Sequence, residues 1–179
     1  MMKQFAFLWC LVAAASVGAA DHVASVNLEV DDPAVEVEEL VDVRVMVSTT
    51  APVNVVELRL EYDATYLRPL AVDCDGGAFT FDGLIDLDSV PGVVLVIRGE
   101  PHGTAPKGDD LDVCAVQFLA RLATAATEVR VRPAADGGKG SSVFLDDGVP
   151  TDALTQGASV TLEITGQPAP RLPDGRADP

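Results

Sequence analysis

VNVVELRLEYDATYLRPL, residues 53–70, alternates strictly and then stops at a turn. Val56, Leu58, Leu60 and Tyr62 point one way, and Glu57, Arg59 and Glu61 point the other. A period of two over that length is the pattern of a strand with one buried face and one wet face. Asp63-Ala64-Thr65 ends the run with turn chemistry, because a short Asp side chain bonds its own backbone locally. Tyr66-Leu67-Arg68-Pro69-Leu70 opens the next segment. The outward row Glu57, Arg59 and Glu61 is therefore expected on an exposed, flat sheet, where charges can select a partner and an apolar neighbour can supply affinity. The alternative is an ordinary solvated face.

Working outward, the same period recurs. Ala24–Val30 places Val26, Leu28 and Val30 on one face, and Leu40–Val47 places Val41, Val43, Val45 and Val47 inward. β-Branched residues suit such a half-buried pleated surface. Leu67–Val72 is a strand, and Ala78–Phe81 and Leu84–Leu87 are two short ones separated by Asp82-Gly83. Val93–Arg98 is a continuous apolar run of the kind found in central strands. Leu111–Leu122 has the Ala and Leu content of a helix but sits among strands, and is read as a strand with Cys114, Val116, Phe118 and Ala120 on one face. Thr127–Arg132, Ser142–Leu145 and Ala158–Ile164 follow, with Val149–Leu154 as a weak pairing segment. About nine or ten short strands with turns between them predict a single all-β sandwich, without internal repeat or second domain.

Composition bounds the setting. Residues 1–20 have the form of a secretory signal peptide, with Lys3, an apolar run from Phe5 to Val17 and small residues at Val17-Gly18-Ala19-Ala20. The run is too short for a comfortable membrane span; the competing reading is an anchor that stays attached. Bulky Leu8 and Trp9 before Cys10 argue against a lipoprotein site. The folded domain is expected over residues 21–165, and residues 166–179, with four prolines and no apolar face, as a disordered tail. The 179-residue chain has 28 acidic and 12 basic residues, a formal net charge of −16, and loss of Lys3 takes it one unit further negative. Such a surface repels phosphate backbones and anionic membranes, so neither nucleic acid nor membrane is an expected partner. The expected location is outside the cytoplasm, in the medium or the periplasm.

Two cysteines, Cys74 and Cys114, remain in the exported chain. An oxidising compartment and an even count favour a disulfide over two unpaired thiols. It would close a loop of about forty residues and contribute roughly 3–4 kcal/mol.

No catalytic constellation, metal site or cofactor motif is found. His22 and His102 are isolated, and no nucleophile-elbow motif accompanies them. Two cysteines and two distant histidines lack metal-site spacing. Asp73/Asp75, Asp86/Asp88, Asp109/Asp110 and Asp146/Asp147 sit at turns, where Asp caps backbone N–H groups, and none fits a calcium loop. Glycan binding needs flat aromatic faces. Tyr62 and Phe118 fall inward, which leaves Tyr66, Phe79, Phe81 and Phe144 as candidate platforms, some of which must serve the core.

Three segments together resemble the cohesin domains of bacterial scaffolding proteins. VELRLEYDATYLRPL (56–70) is similar to the alternating cohesin strand that ends in Tyr-Asp and is followed by a short segment with a Leu. LDVCAVQFLARLATAATEVRV (111–131) resembles the long penultimate strand, small-residue turn and following strand, and SVFLDDGVPTDALTQGASVTLEI (142–164) resembles the cohesin ending. The resemblance covers about Ala24 to Ile164. It implies a nine-stranded jelly-roll sandwich and a non-catalytic binding module whose usual partner is a dockerin, a small calcium-binding module on an exported enzyme. It also implies a link to polysaccharide breakdown. The dockerin-facing sheet would include Glu57, Arg59 and Glu61. The polar Asn common early on that strand is Val55 here, while the acidic residue two positions later is matched by Glu57. The same sandwich serves carbohydrate-binding modules and structural components of secretion or cell-surface assemblies, and fold does not decide among them.

Overall fold

The computed structural model describes residues 23–134, 139–148 and 151–166. The expected signal peptide and the stretch after Gly166 lie outside the described residues, as do Val149 and Pro150. Among those described there are twelve strands and no helix. In chain order they are β1 (Ala24–Glu29), β2 (Ala34–Glu36), β3 (Leu40–Thr49), β4 (Val53–Tyr62), β5 (Leu67–Asp73) and β6 (Phe81–Asp86). The second half contains β7 (Val93–Gly99), β8 (Gly108–Ala120), β9 (Thr124–Val131), β10 (Ser142–Leu145), β11 (Leu154–Gln156) and β12 (Ala158–Thr165). Twelve rather than nine arises in part from short edge pairings, since β2 and β11 are each three residues long.

One sheet has five strands in the order β11-β1-β3-β8-β5. The other has seven, in the order β2-β12-β9-β4-β7-β6, with β10 also paired to β4. Antiparallel pairing dominates; only β1–β11 and β2–β12 are parallel. The chain passes repeatedly from one sheet to the other, so each sheet buries one face against its opposite.

The alternation read from the sequence sets that buried layer. Val41, Val43, Val45 and Val47 of β3 meet Val56, Leu58 and Leu60 of β4 in one core cluster, with Val116 and Phe118 of β8. Phe118 packs its ring against Tyr62 at 5.2 Å between centroids and 60° between planes. Burying each such side chain contributes roughly 1.5–3 kcal/mol. β8 confirms the strand reading of Leu111–Leu122 against its helical composition. It pairs with β3 on one side and β5 on the other, and tertiary pairing overrides a weak local propensity.

Two expectations are corrected. Ala78–Phe81 and Leu84–Leu87 are not two strands; Phe81–Asp86 is one, with a register shift at Gly83. A Cβ at Gly83 would meet the Ile97 carbonyl oxygen at 2.9 Å, so glycine permits the bulge. Phe79 is no surface platform either, being fully buried between the sheets.

The turn after β4 forms as its residues require. The Asp63 carboxylate accepts from the Thr65 N–H at 2.8 Å, and its carbonyl accepts from Tyr66 and Leu67. That local bond holds the Asp63 carboxyl below its ordinary value. Arg121 ties the turn to the end of β8, donating to the Ala64 carbonyl at 3.0 Å.

Candidate functional site

β4 lies inside the larger sheet, with β7 along one side and β10 and then β9 along the other. Glu57, Arg59 and Glu61 point outward from it, as their alternation requires, while Val56, Leu58 and Leu60 are fully buried. The row is half-buried rather than freely exposed, because it is woven into charge pairs. Arg59 Nη2 lies 3.2 Å from Glu57 Oε1. Glu61 accepts from Arg130 Nε at 2.9 Å and from Arg132 Nη2 at 2.6 Å. Burial alone would raise the Glu61 carboxyl, but the two guanidinium hydrogen bonds and their charges outweigh it and hold the group below its ordinary value. Arg130 also faces Glu128 at 3.7 Å.

Sequence reasoning misses Arg130 and Arg132. Their own strand alternates visibly, but only the β4–β9 register, with Glu61 opposite Arg130, brings them to Glu61.

Beside the charged row lies an apolar strip. β7 places Val94, Val96 and Arg98 inward and Val93, Leu95 and Ile97 outward. Its continuous apolar run is thus a strand paired on both edges, as expected, whose outer face is left uncovered. Ile97 stands between Glu57 on β4 and Leu84 on β6. Leu84 is 49% exposed and Phe81 63% exposed on that outer strand. Exposed Phe81 and Leu84 and half-buried Leu95 and Ile97 thus lie next to the paired charges on this outer face. At one end the face opens into a cleft of about 650 Å³ lined by Glu61, Tyr62, Asp63, Tyr66 and Arg130, among others. Gly92, at φ 82°, closes one wall of this cleft, where a Cβ would sit 3.0 Å from the Tyr62 carbonyl oxygen.

The remaining candidates are placed as follows. Tyr66 packs against the core, and Phe144 lies half-buried on β10 opposite Val55. His102 is paired through Nδ1 with the Asp146 carboxylate, which also accepts from the Gly103 N–H at 2.9 Å. Asp73 and Asp86 cap their turns, accepting from the N–H groups of Asp75 and of Asp88 and Ser89. Among the described residues no cluster of three or more His, Cys, Asp or Glu side chains could hold a metal ion. No helix among them is long and apolar enough to cross a membrane. Cys74 and Cys114 are free thiols in the structure, with side chains in contact across the end of β5 and β8.

Neither a protein-family model nor a curated protein matches the sequence. Solved structures do. A cohesin module from a family 33 glycoside hydrolase of Clostridium perfringens superposes with a TM-score of 0.64 at 14% identity, covering 79% of this chain and 96% of that one. A type I cohesin–dockerin complex from Clostridium thermocellum contains a chain matching with a TM-score of 0.60 at 11% identity, over 82% of this chain and 97% of that one. A non-cellulosomal cohesin from the archaeon Archaeoglobus fulgidus matches with a TM-score of 0.55 at 16% identity, over 82% and 93%. Identities this low speak to the fold alone, and on that point they agree with the strand order and the buried layers described above: the chain has the fold of the cohesin modules.

Proposed function

We propose that this chain is an exported, non-catalytic protein-binding module that docks a dockerin-like partner on the outer face of its seven-stranded sheet. The observation that carries the reading is the pairing of an uncovered apolar strip with an ordered charge row. Leu84, Leu95 and Ile97 lie beside Glu57, Arg59 and Glu61, and Arg130 and Arg132 hold the last of these in place. Apolar anchors supply affinity in such a face, and pre-positioned charges reject wrong partners. Export rests on the sequence of residues 1–20. The fold shared with chains from cohesin–dockerin complexes supports a dockerin-like partner, and the polysaccharide connection follows from that partner class.

A glycan-binding reading is weaker. Of the four candidate rings, Phe79 is core and Tyr66 packs against it, leaving Phe81 as the one well-exposed ring. A structural role in a surface assembly would use the same face with a different partner.

The test is titration calorimetry of the chain against a panel of purified dockerin modules, with calcium and with chelator. Saturable binding that is lost in the Glu57→Lys/Glu61→Lys variant supports the proposal. Binding unchanged by that double charge reversal places the site elsewhere, and a panel with no binder removes the dockerin assignment.

A further inference from the structure

Cys74 and Cys114 lie away from the proposed docking face, where the smaller sheet ends. β5 and β8 pair with Val72 opposite Val116 and Asp73 opposite Ala115. Continuing that register by one residue sets Cys74 directly opposite Cys114. Opposed residues of an antiparallel pair have Cα atoms about 4.5–5.5 Å apart, within the roughly 4.4–6.8 Å that a disulfide spans. The turn that follows Cys74 is fastened to the same strand. Gly77 N–H donates to the Cys74 carbonyl at 3.3 Å, and Ala78 N–H to the Asp112 carbonyl at 2.7 Å.

The two sulfurs have unlike surroundings. Cys114 is buried, whereas Cys74 is half-buried and opens with it onto a small surface recess of about 130 Å³. From the opposite sheet Arg98 reaches into the same place. Its side chain is buried; Nη2 donates to the Phe79 carbonyl, Nη1 pairs with the Asp82 carboxylate, and Nε has no partner among the described residues. The guanidinium also lies within hydrogen-bonding reach of Cys74. A buried cation beside a thiol favours the thiolate. The Cys114 hydrogen bond and then the Arg98 charge, working against burial and Asp73, bring Cys74 down to about 6, while Cys114 is pushed above an ordinary thiol. The charged groups that face the pair are Arg98, Arg44, Asp73, Asp75 and Asp112, so the rim is acidic.

We propose that Cys74 and Cys114 form a thiol–disulfide exchange site, with Cys74 as the attacking sulfur and Cys114 as the resolving one, that accepts cationic disulfides in preference to anionic ones. The Cys74 thiolate attacks one sulfur of an incoming disulfide RS–SR, forming Cys74–S–SR and expelling RS⁻. Cys114 then attacks Cys74 Sγ, forming the Cys74–Cys114 bond and releasing RS⁻, which carries away the Cys114 proton as RSH. The incoming disulfide is reduced to two thiols and the protein dithiol is oxidised by the same two electrons. An attacking thiol that titrates near the ambient pH is well suited to this exchange. The recess admits a small reagent, and its three carboxylates select by charge.

The experiment uses the full chain carrying Cys10→Ser, reduced and then mixed at neutral pH with cystamine or with glutathione disulfide, and followed by intact mass. The chain with both thiols is expected to lose two hydrogens and retain no adduct. Cys114→Ser is expected to accumulate a single mixed disulfide, and Cys74→Ser to stay unmodified over the same interval. Cystamine should react at least tenfold faster than glutathione disulfide, with the gap narrowing as salt is added. In the Cys114→Ser background the rate should rise with pH through a midpoint below the ordinary thiol value of about 8.5. Arg98→Met should move that midpoint upward and Arg98→Lys should not. Because Arg98 is a core residue, the two sulfur variants are the deciding ones. Equal labelling of Cys74→Ser and Cys114→Ser, or a Cys114→Ser rate no greater than that of the urea-unfolded chain, overturns the proposal. A retained adduct on the two-thiol chain overturns the resolving role of Cys114.

Discussion

The two outer faces of this sandwich obey the same alternation and carry different residues. On the smaller sheet most outward positions are polar, although Leu40, 49% exposed, stands opposite Leu119 at one end. Asp42 accepts from Gln117 at 3.1 Å, and Arg44 stands between Glu29 and Ala115. On the larger sheet the outward positions of β7 are Val93, Leu95 and Ile97, and β6 adds exposed Leu84 and Phe81. Both sheets contribute fully buried side chains to one core cluster, and Phe81 and Leu84 are not part of it. A single exposed apolar side chain is ordinary, whereas a contiguous patch that the core does not need points to something that covers it. The difference teaches that, in a two-sheet fold, the face that meets a partner is read from what the outward positions hold beyond the need for solubility.

The largest expected effect lies beneath both faces. Leu58→Ala empties a fully buried position under the charged row and should cost about 2–5 kcal/mol in denaturant unfolding. A loss well under that range would mean that β4 is not the shared floor of the two faces. Next, Leu84→Asp should weaken partner binding by about 2 kcal/mol or more, as truncation of an interface anchor does. It should leave unfolding nearly unchanged, since Leu84 is already half-exposed; calorimetry and urea melts on the same variant separate the two.

Glu61→Gln should cost about 1 kcal/mol, the range of an exposed ion pair held in good geometry, because it leaves Arg130 and Arg132 without their shared carboxylate. The same pairing predicts a pH dependence. The Glu61 carboxyl is held below its ordinary 4.5, so the folded state binds this proton less readily than the unfolded chain does. Its contribution is present above 4.5 and is lost as pH falls through the lowered folded value. Urea midpoints measured from pH 6 downward should fall less steeply below 4.5 in Glu61→Gln than in the unaltered chain. The smallest effect belongs to the other face. Asp42→Asn should change stability by no more than about 0.5 kcal/mol and partner binding not at all. If it abolished binding while Leu84→Asp did not, the assignment of the two faces would be reversed.

Alternation is a local property of the extended backbone, since successive side chains point to opposite faces. For that reason the buried set of β3, β4 and β8, the outward aim of Glu57, Arg59 and Glu61, and the Asp63 turn are all legible in the residues themselves. The all-β sandwich follows from the number of such runs. Which strand lies beside which is not local. Register and sheet order depend on pairings made across dozens of residues, and a shift of one residue turns every side chain to the other face. Only the tertiary structure could therefore place Arg130 and Arg132 on Glu61, leave the outer side of β7 uncovered, and bury Phe79 rather than Phe81. The same holds for Arg98. Its position at the end of VVLVIR says that it lies on a strand, and the alternation of that strand turns it inward. That its guanidinium finds Cys74, Phe79 and Asp82 there depends on which segments the two sheets bring together at that end of the sandwich.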